Sequence, residues 1–99
     1  MKIEKFEDII SWQKAKELTL NIYLTFKDSN DFGYKNQIER ASVSIMNNIA
    51  EGYERRSNKE FKHFLFIAKG FCGEVRSMLY LAKDLKRINN DKFNELSTL

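Results

Sequence analysis

The sequence predicts an all-α fold of four helices, the last one short. Three observations carry this. There is no proline and there are only four glycines in 99 residues, so little punctuates the chain and long helices are its natural form. Alternation of apolar and polar residues at period two is nowhere sustained, which leaves no strand. Apolar residues recur instead at three- and four-residue steps, as one face of a helix requires.

The first helical pattern runs from about Ser11 to Lys27, with Trp12, Ala15, Thr19, Ile22 and Phe26 on one face. Asp28-Ser29-Asn30-Asp31-Phe32-Gly33 is a loop by composition, because its Asp, Ser and Asn side chains compete for backbone hydrogen bonds. A second helix extends from about Tyr34 to Glu54, with Ile38, Ala41, Ile45, Ile49 and Gly52 turned to a core. Ser57-Asn58-Lys59-Glu60 is a capping box and opens the third. That helix is expected to reach Ile88, since Phe61, Phe64, Leu65, Ala68, Phe71, Cys72, Val75, Met78, Leu79, Ala82, Leu85 and Ile88 keep one spacing throughout. Its length would be roughly 46 Å at the α-helical rise. Asn89-Asn90 should end it and Asp91 should cap a fourth helix, frayed at its end, that carries Phe93, Leu96 and Leu99.

Length allows one domain over residues 1–99. No uncharged run can cross a bilayer, the first ten residues contain no apolar block of the signal-peptide kind, and one cysteine cannot bridge within the chain. These features predict a cytoplasmic protein without membrane contact.

Beside the apolar face of helix two runs a polar stripe, Gln37, Arg40, Ser44, Asn48 and Glu51, which would be costly to bury unpaired. Its partner is another helix, a second copy of the chain, or a polyanion. On helix three, Phe66, Gly70, Gly73, Ser77 and Tyr80 form a second side where small residues would let a neighbouring helix come close. Apolar or small surface on two sides of one helix predicts a homo-oligomer.

Net charge is +3, and its distribution says more than its size. Arg55, Arg56, Lys59, Lys62 and His63 fall together, as do Lys83, Lys86, Arg87 and Lys92, each a phosphate-facing cluster or a solvated helix surface. Catalysis has little support. His63 has no second histidine for a metal site, Cys72 sits as a small core residue without a base, Glu51 and Glu54 are a carboxylate pair one turn apart of a kind common on amphipathic helices, and Gly70 and Gly73 lie inside a helix instead of a phosphate loop. No cofactor and no small-molecule substrate is expected.

The residues Phe6, Trp12-Gln13, Ala15, Tyr23, Gln37, Arg40-Ala41, Ser44-Ile45, Asn48-Ile49-Ala50-Glu51-Gly52, Arg56-Ser57, Phe61, Phe64-Leu65, Ile67-Ala68, Gly70, Glu74, Leu79 and Ala82 resemble a bacterial family. It is the family of small four-helix-bundle proteins named after the intervening sequences of 23S rRNA genes. The resemblance spans nearly the whole chain and is most specific at Ser44-Ile45 through Gly52. It implies an antiparallel up-and-down four-helix bundle assembling as a ring-like homopentamer. Because related bundles are encoded within rRNA genes or serve retroelement reverse transcriptases as accessory subunits, it also implies RNA or DNA contact. It adds Glu74 to Gln37, Arg40, Ser44, Asn48 and Glu51 as characteristic polar positions. These are read first as structural, because Arg40 with Glu51 or Glu74 could form a hydrogen-bonded pair across helices or protomers that fixes register.

Three departures stand out: Lys27-Asp28 where a proline is usual, Phe71 after Gly70 where a small residue is common, and a short fourth helix. Nucleic-acid contact is expected at Arg55, Arg56, Lys59 and Lys62, then at Lys35 and Arg40. A protein-interaction scaffold, with charge serving solubility alone, is the alternative.

Overall fold

A computed structural model describes residues 4–99, so Met1 to Ile3, part of the reading against a signal peptide, lie outside it. Among the described residues there are four α-helices, one short 3₁₀ turn at Phe6–Asp8, and no strand. The helices are α1 (Ile10–Thr25), α2 (Phe32–Glu54), α3 (Asn58–Asp84) and α4 (Asn90–Ser97). No helix is long and apolar enough to cross a membrane.

Helix α2 is central. It packs on α1 along one side and on α3 along the other, while α4 touches both α1 and α3. Contacts pair the start of α2 with the end of α3: the Tyr34 hydroxyl donates to the Met78 carbonyl at 2.6 Å and Arg87 meets Asp31 at 2.7 Å. At the other end Gly52 lies against Phe61 and Phe64. The apolar interior joins Leu18 and Ile22 of α1, Ile38 and Ile45 of α2, Val75 and Leu79 of α3, and Phe93 and Leu96 of α4. Leu18 joins the face of α1 marked by Ala15, Thr19 and Ile22, widening it by one position, and Trp12 is only partly buried, edge-on to Phe6.

One buried hydroxyl ties α1 to α2. Thr19 Oγ1 donates to the Ala15 carbonyl in its own helix and lies 3.1 Å from the Ser42 carbonyl across the contact. Ser42 is fully buried and returns its own hydroxyl to Glu39. Burial without a partner would cost a few kcal/mol, and among the described residues no buried side-chain polar atom lacks one.

Helix boundaries differ from the sequence expectation for local reasons. Asp31 accepts from the Tyr34 amide, so α2 opens at Phe32 and includes Phe32-Gly33, which composition alone assigns to the loop. Helix α1 stops at Thr25, two residues before the expected end. Helix α3 stops at Asp84, not Ile88, and its 27 residues span roughly 40 Å. Its end is a Schellman turn: the Arg87 amide donates to the Ala82 carbonyl, the Lys86 amide to Lys83, and Lys86 takes the left-handed backbone with φ 61. The turn leaves Leu85 in solvent and returns Ile88 to the core. Continuing the helix would have carried Ile88 away along the α3 axis. Asn89, not Asp91, caps α4 by accepting from the Lys92 amide at 2.7 Å.

Candidate nucleic-acid interface

The turn Arg55–Ser57 joins α2 to α3 and gathers the first basic cluster. Ser57 caps α3 as expected, accepting from the Glu60 amide at 3.1 Å. The Glu60 carboxylate turns to the Ser57 hydroxyl and to Arg55. Arg55 is therefore the most engaged cation of the cluster: it pairs with Glu51 at 2.7 Å and Glu60 at 3.8 Å, and its guanidinium lies over the Phe64 ring. Arg56, Lys59 and Lys62 are exposed and form no salt bridge among the described residues.

The remaining expected contacts lie apart from these. Lys35 sits near the opposite end of α2, about 30 Å away along the helix, where its ammonium donates to the Lys27 carbonyl and closes the α1–α2 loop. The second cluster is largely engaged. Arg87 pairs with Asp31, Lys92 pairs with Glu95 at 2.7 Å, and Lys83 lies 4.7 Å from the centre of the Phe93 ring. Within that cluster only Lys86 forms no salt bridge and lies over no ring among the described residues.

The polar stripe on α2 divides. Gln37 donates to Glu74 on α3 at 3.4 Å, and Asn48 bonds the Ser44 carbonyl within its own helix. Glu51 is taken by Arg55, and Arg40 forms no salt bridge with either Glu51 or Glu74 within the chain. About three turns of helix separate Arg40 from Glu51, far beyond side-chain reach. Arg40, Gln37, Ser44 and Glu74 instead line one open cleft of about 430 Å³ between α2 and α3.

Gly70 and Gly73 have open space where a side chain would stand, so no element of the chain approaches them closely. The close-packing glycine is Gly52, whose added Cβ would fall 2.7 Å from Phe64 Cβ. The sequence signal was present in its place on the apolar face of α2, but it did not mark a helix crossing. Cys72 is not a core residue. It is exposed, and its thiol is pushed up by partial burial with Arg76 opposing the shift, which makes it a poor thiolate. It stands on the wall of an open groove of about 620 Å³ between α3, the end of α4 and Leu18 of α1.

Four helices about a shared apolar interior, with unpaired cations on the outer surface and a polar cleft along α2, define a small helical-bundle protein. Residues 7–99 match the model of the 23S rRNA-intervening sequence protein family, and the chain belongs to that family. No curated protein matches it.

Proposed function

We propose that this chain is a non-catalytic, cytoplasmic bundle protein that binds the phosphates of RNA or DNA through cations repeated around a homo-oligomer. Its monomer is read as an antiparallel up-and-down bundle, in keeping with the Tyr34–Met78 and Arg87–Asp31 contacts at one end and Gly52 against Phe61 at the other. The family resemblance supports a ring-like homopentamer as its assembly. The observation that carries the binding reading is the free basic surface of Arg56, Lys59 and Lys62, with Arg40 unneutralised in the α2–α3 cleft. A family named for sequences that intervene in 23S rRNA fits an RNA ligand.

One protomer carries only +3, so affinity depends on repetition: a ring presents each basic cluster once per copy and converts weak contacts into avidity. Contacts of this kind are electrostatic and largely independent of sequence. Replacing Arg56, Lys59 and Lys62 by Gln should weaken binding of a labelled RNA and reduce the slope of log K against log salt by about 0.7 for each phosphate left without its cation. A salt-independent affinity, or one indifferent to these three changes, removes the reading.

A scaffold role has its own support in the apolar groove beside Cys72 and in exposed Phe66. Purification with and without nuclease separates the two. A protein partner that survives nuclease treatment favours the scaffold, whereas a polynucleotide that co-purifies favours phosphate binding.

A further inference from the structure

We propose that the outer face of α3 is a rail for one single strand of nucleic acid. Phosphates would rest on Lys62, Lys69 and Arg76, and bases against Phe66 and the bare helix at Gly73. This rests on the nucleic-acid reading above and names the strand type and the face.

Lys62, Phe66, Lys69, Gly73, Arg76 and Tyr80 follow one another at steps of four and three residues, so the α-helical turn aligns them in a single stripe. All six are exposed. The three cations stand at seven-residue intervals, about 10.5 Å apart along the axis, and none forms a salt bridge among the described residues. The acids of α3 do not interrupt them: Glu60 turns to Arg55, Glu74 turns to Gln37, and Asp84 lies at the helix end beyond Tyr80.

Between the first two cations stands Phe66, 71% exposed, while Tyr80 just beyond the third is 51% exposed and lies against the Phe93 ring at 4.8 Å. Cation and ring in alternation is the chemistry of single-strand binding, in which backbone charge is neutralised and bases stack. Phe66, Lys69, Gly73 and Arg76 line the same groove, and the space above Gly73 is open, so a planar base can lie on the helix backbone there. A duplex keeps its bases stacked inside and cannot offer them to Phe66. Packing a second copy over this stripe would bury three unpaired cations, which is costly unless that copy supplies carboxylates.

The test measures anisotropy of a labelled oligouridylate, the same strand as DNA, and an RNA hairpin, with light scattering on every variant. Phe66→Ala should weaken the oligouridylate by between about 5-fold and about 100-fold. Lys69→Gln with Arg76→Gln should reduce the salt slope by about 0.7 for each phosphate no longer neutralised. Gly73→Leu, which fills the open floor and should leave helicity by circular dichroism intact, should also weaken it, with native mass unchanged. If the oligouridylate binds with steep salt dependence but none of these variants changes it, the inference fails and the phosphate reading stands. If no polynucleotide binds the parent chain, both fail. Equal affinity for the hairpin overturns the assignment to a single strand, as does a variant that weakens binding only by losing its assembly mass; the DNA strand should bind as the RNA does, because phosphate charge and base stacking are common to both.

Discussion

Tyr34 ties three elements together with one side chain. Its ring is buried against Phe26 at the end of α1, its hydroxyl donates to Met78 of α3, and the Arg87 guanidinium lies over the ring, held there by Asp31. Burial pushes its hydroxyl up to about 12, from the ordinary 10 of a phenol. The folded state thus holds the phenol proton more tightly than the unfolded chain. The stability this supplies is complete below pH 10 and is lost as pH rises from there toward 12. Asp31 behaves oppositely. The Arg87 hydrogen bond, then the Tyr34 amide, lower its carboxyl below 3.8, so its contribution is present above that pH and fades below it. Tyr34→Phe should cost about 1 kcal/mol at neutral pH through loss of the hydroxyl bond. It should also remove the alkaline loss between pH 10 and 12, which urea unfolding across that range would register.

At the scale of the element, helix ends and helix crossings make separate predictions. Lys86 holds the left-handed backbone that closes α3, a conformation that costs an L-residue about 1 kcal/mol or more. Lys86→Gly should therefore raise stability by about 1 kcal/mol in thermal unfolding; a loss would mean that its side chain makes a contact outweighing the backbone gain. The glycines separate equally well. Gly52→Ala forces a methyl onto Phe64 Cβ and the Phe61 carbonyl, neither of which is the free end of a flexible chain, and should destabilise by about 1–3 kcal/mol. Gly70→Ala meets nothing in the monomer and should stabilise by about 1 kcal/mol through helix propensity alone.

The same elements mark how much the sequence disclosed. Ser57 was legible as a cap because its bond is local, made three residues away. The interior residues of α2 were legible because a periodic face needs no knowledge of its partner. The end of α3 was not, because Leu85 and Ile88 keep the helical spacing across a turn that only tertiary burial of Ile88 explains. Of the candidate site, the cluster at Arg56, Lys59 and Lys62 was visible as charge. Which cations are free was invisible, since Arg87 finds Asp31 at a separation of 56 residues. Cys72 is misread as core for the same reason: its apolar sequence neighbours do not say that α4 ends beside it and leaves the groove open.

At the scale of the whole molecule, shape argues for association. The radius of gyration is 14.4 Å and the long axis 43 Å, against about 13 Å for the radius of a compact chain of this length. Accessible surface is 6959 Å², where a folded monomer of this mass exposes about 5900 Å². The excess, roughly 1000 Å², is of the order that one subunit contributes to a stable contact. Its origin is architectural: among the described residues no Cα of α1 comes within 8 Å of α3, and α4 has only eight residues with which to cover the space between them. Leu20, Tyr23 and Leu24 extend the exposed apolar surface along α1. The proposed homo-oligomer would bury this α1 surface, and α1 carries the assembly prediction. Leu20→Glu with Leu24→Glu, both at exposed positions, should leave the helical circular dichroism of the subunit intact while reducing the mass seen by light scattering toward 11.7 kDa. RNA affinity should fall with it, because avidity requires linked copies. A parent chain of monomeric mass at micromolar concentration would end the oligomer argument, and an undiminished mass in the double variant would move the contact off α1.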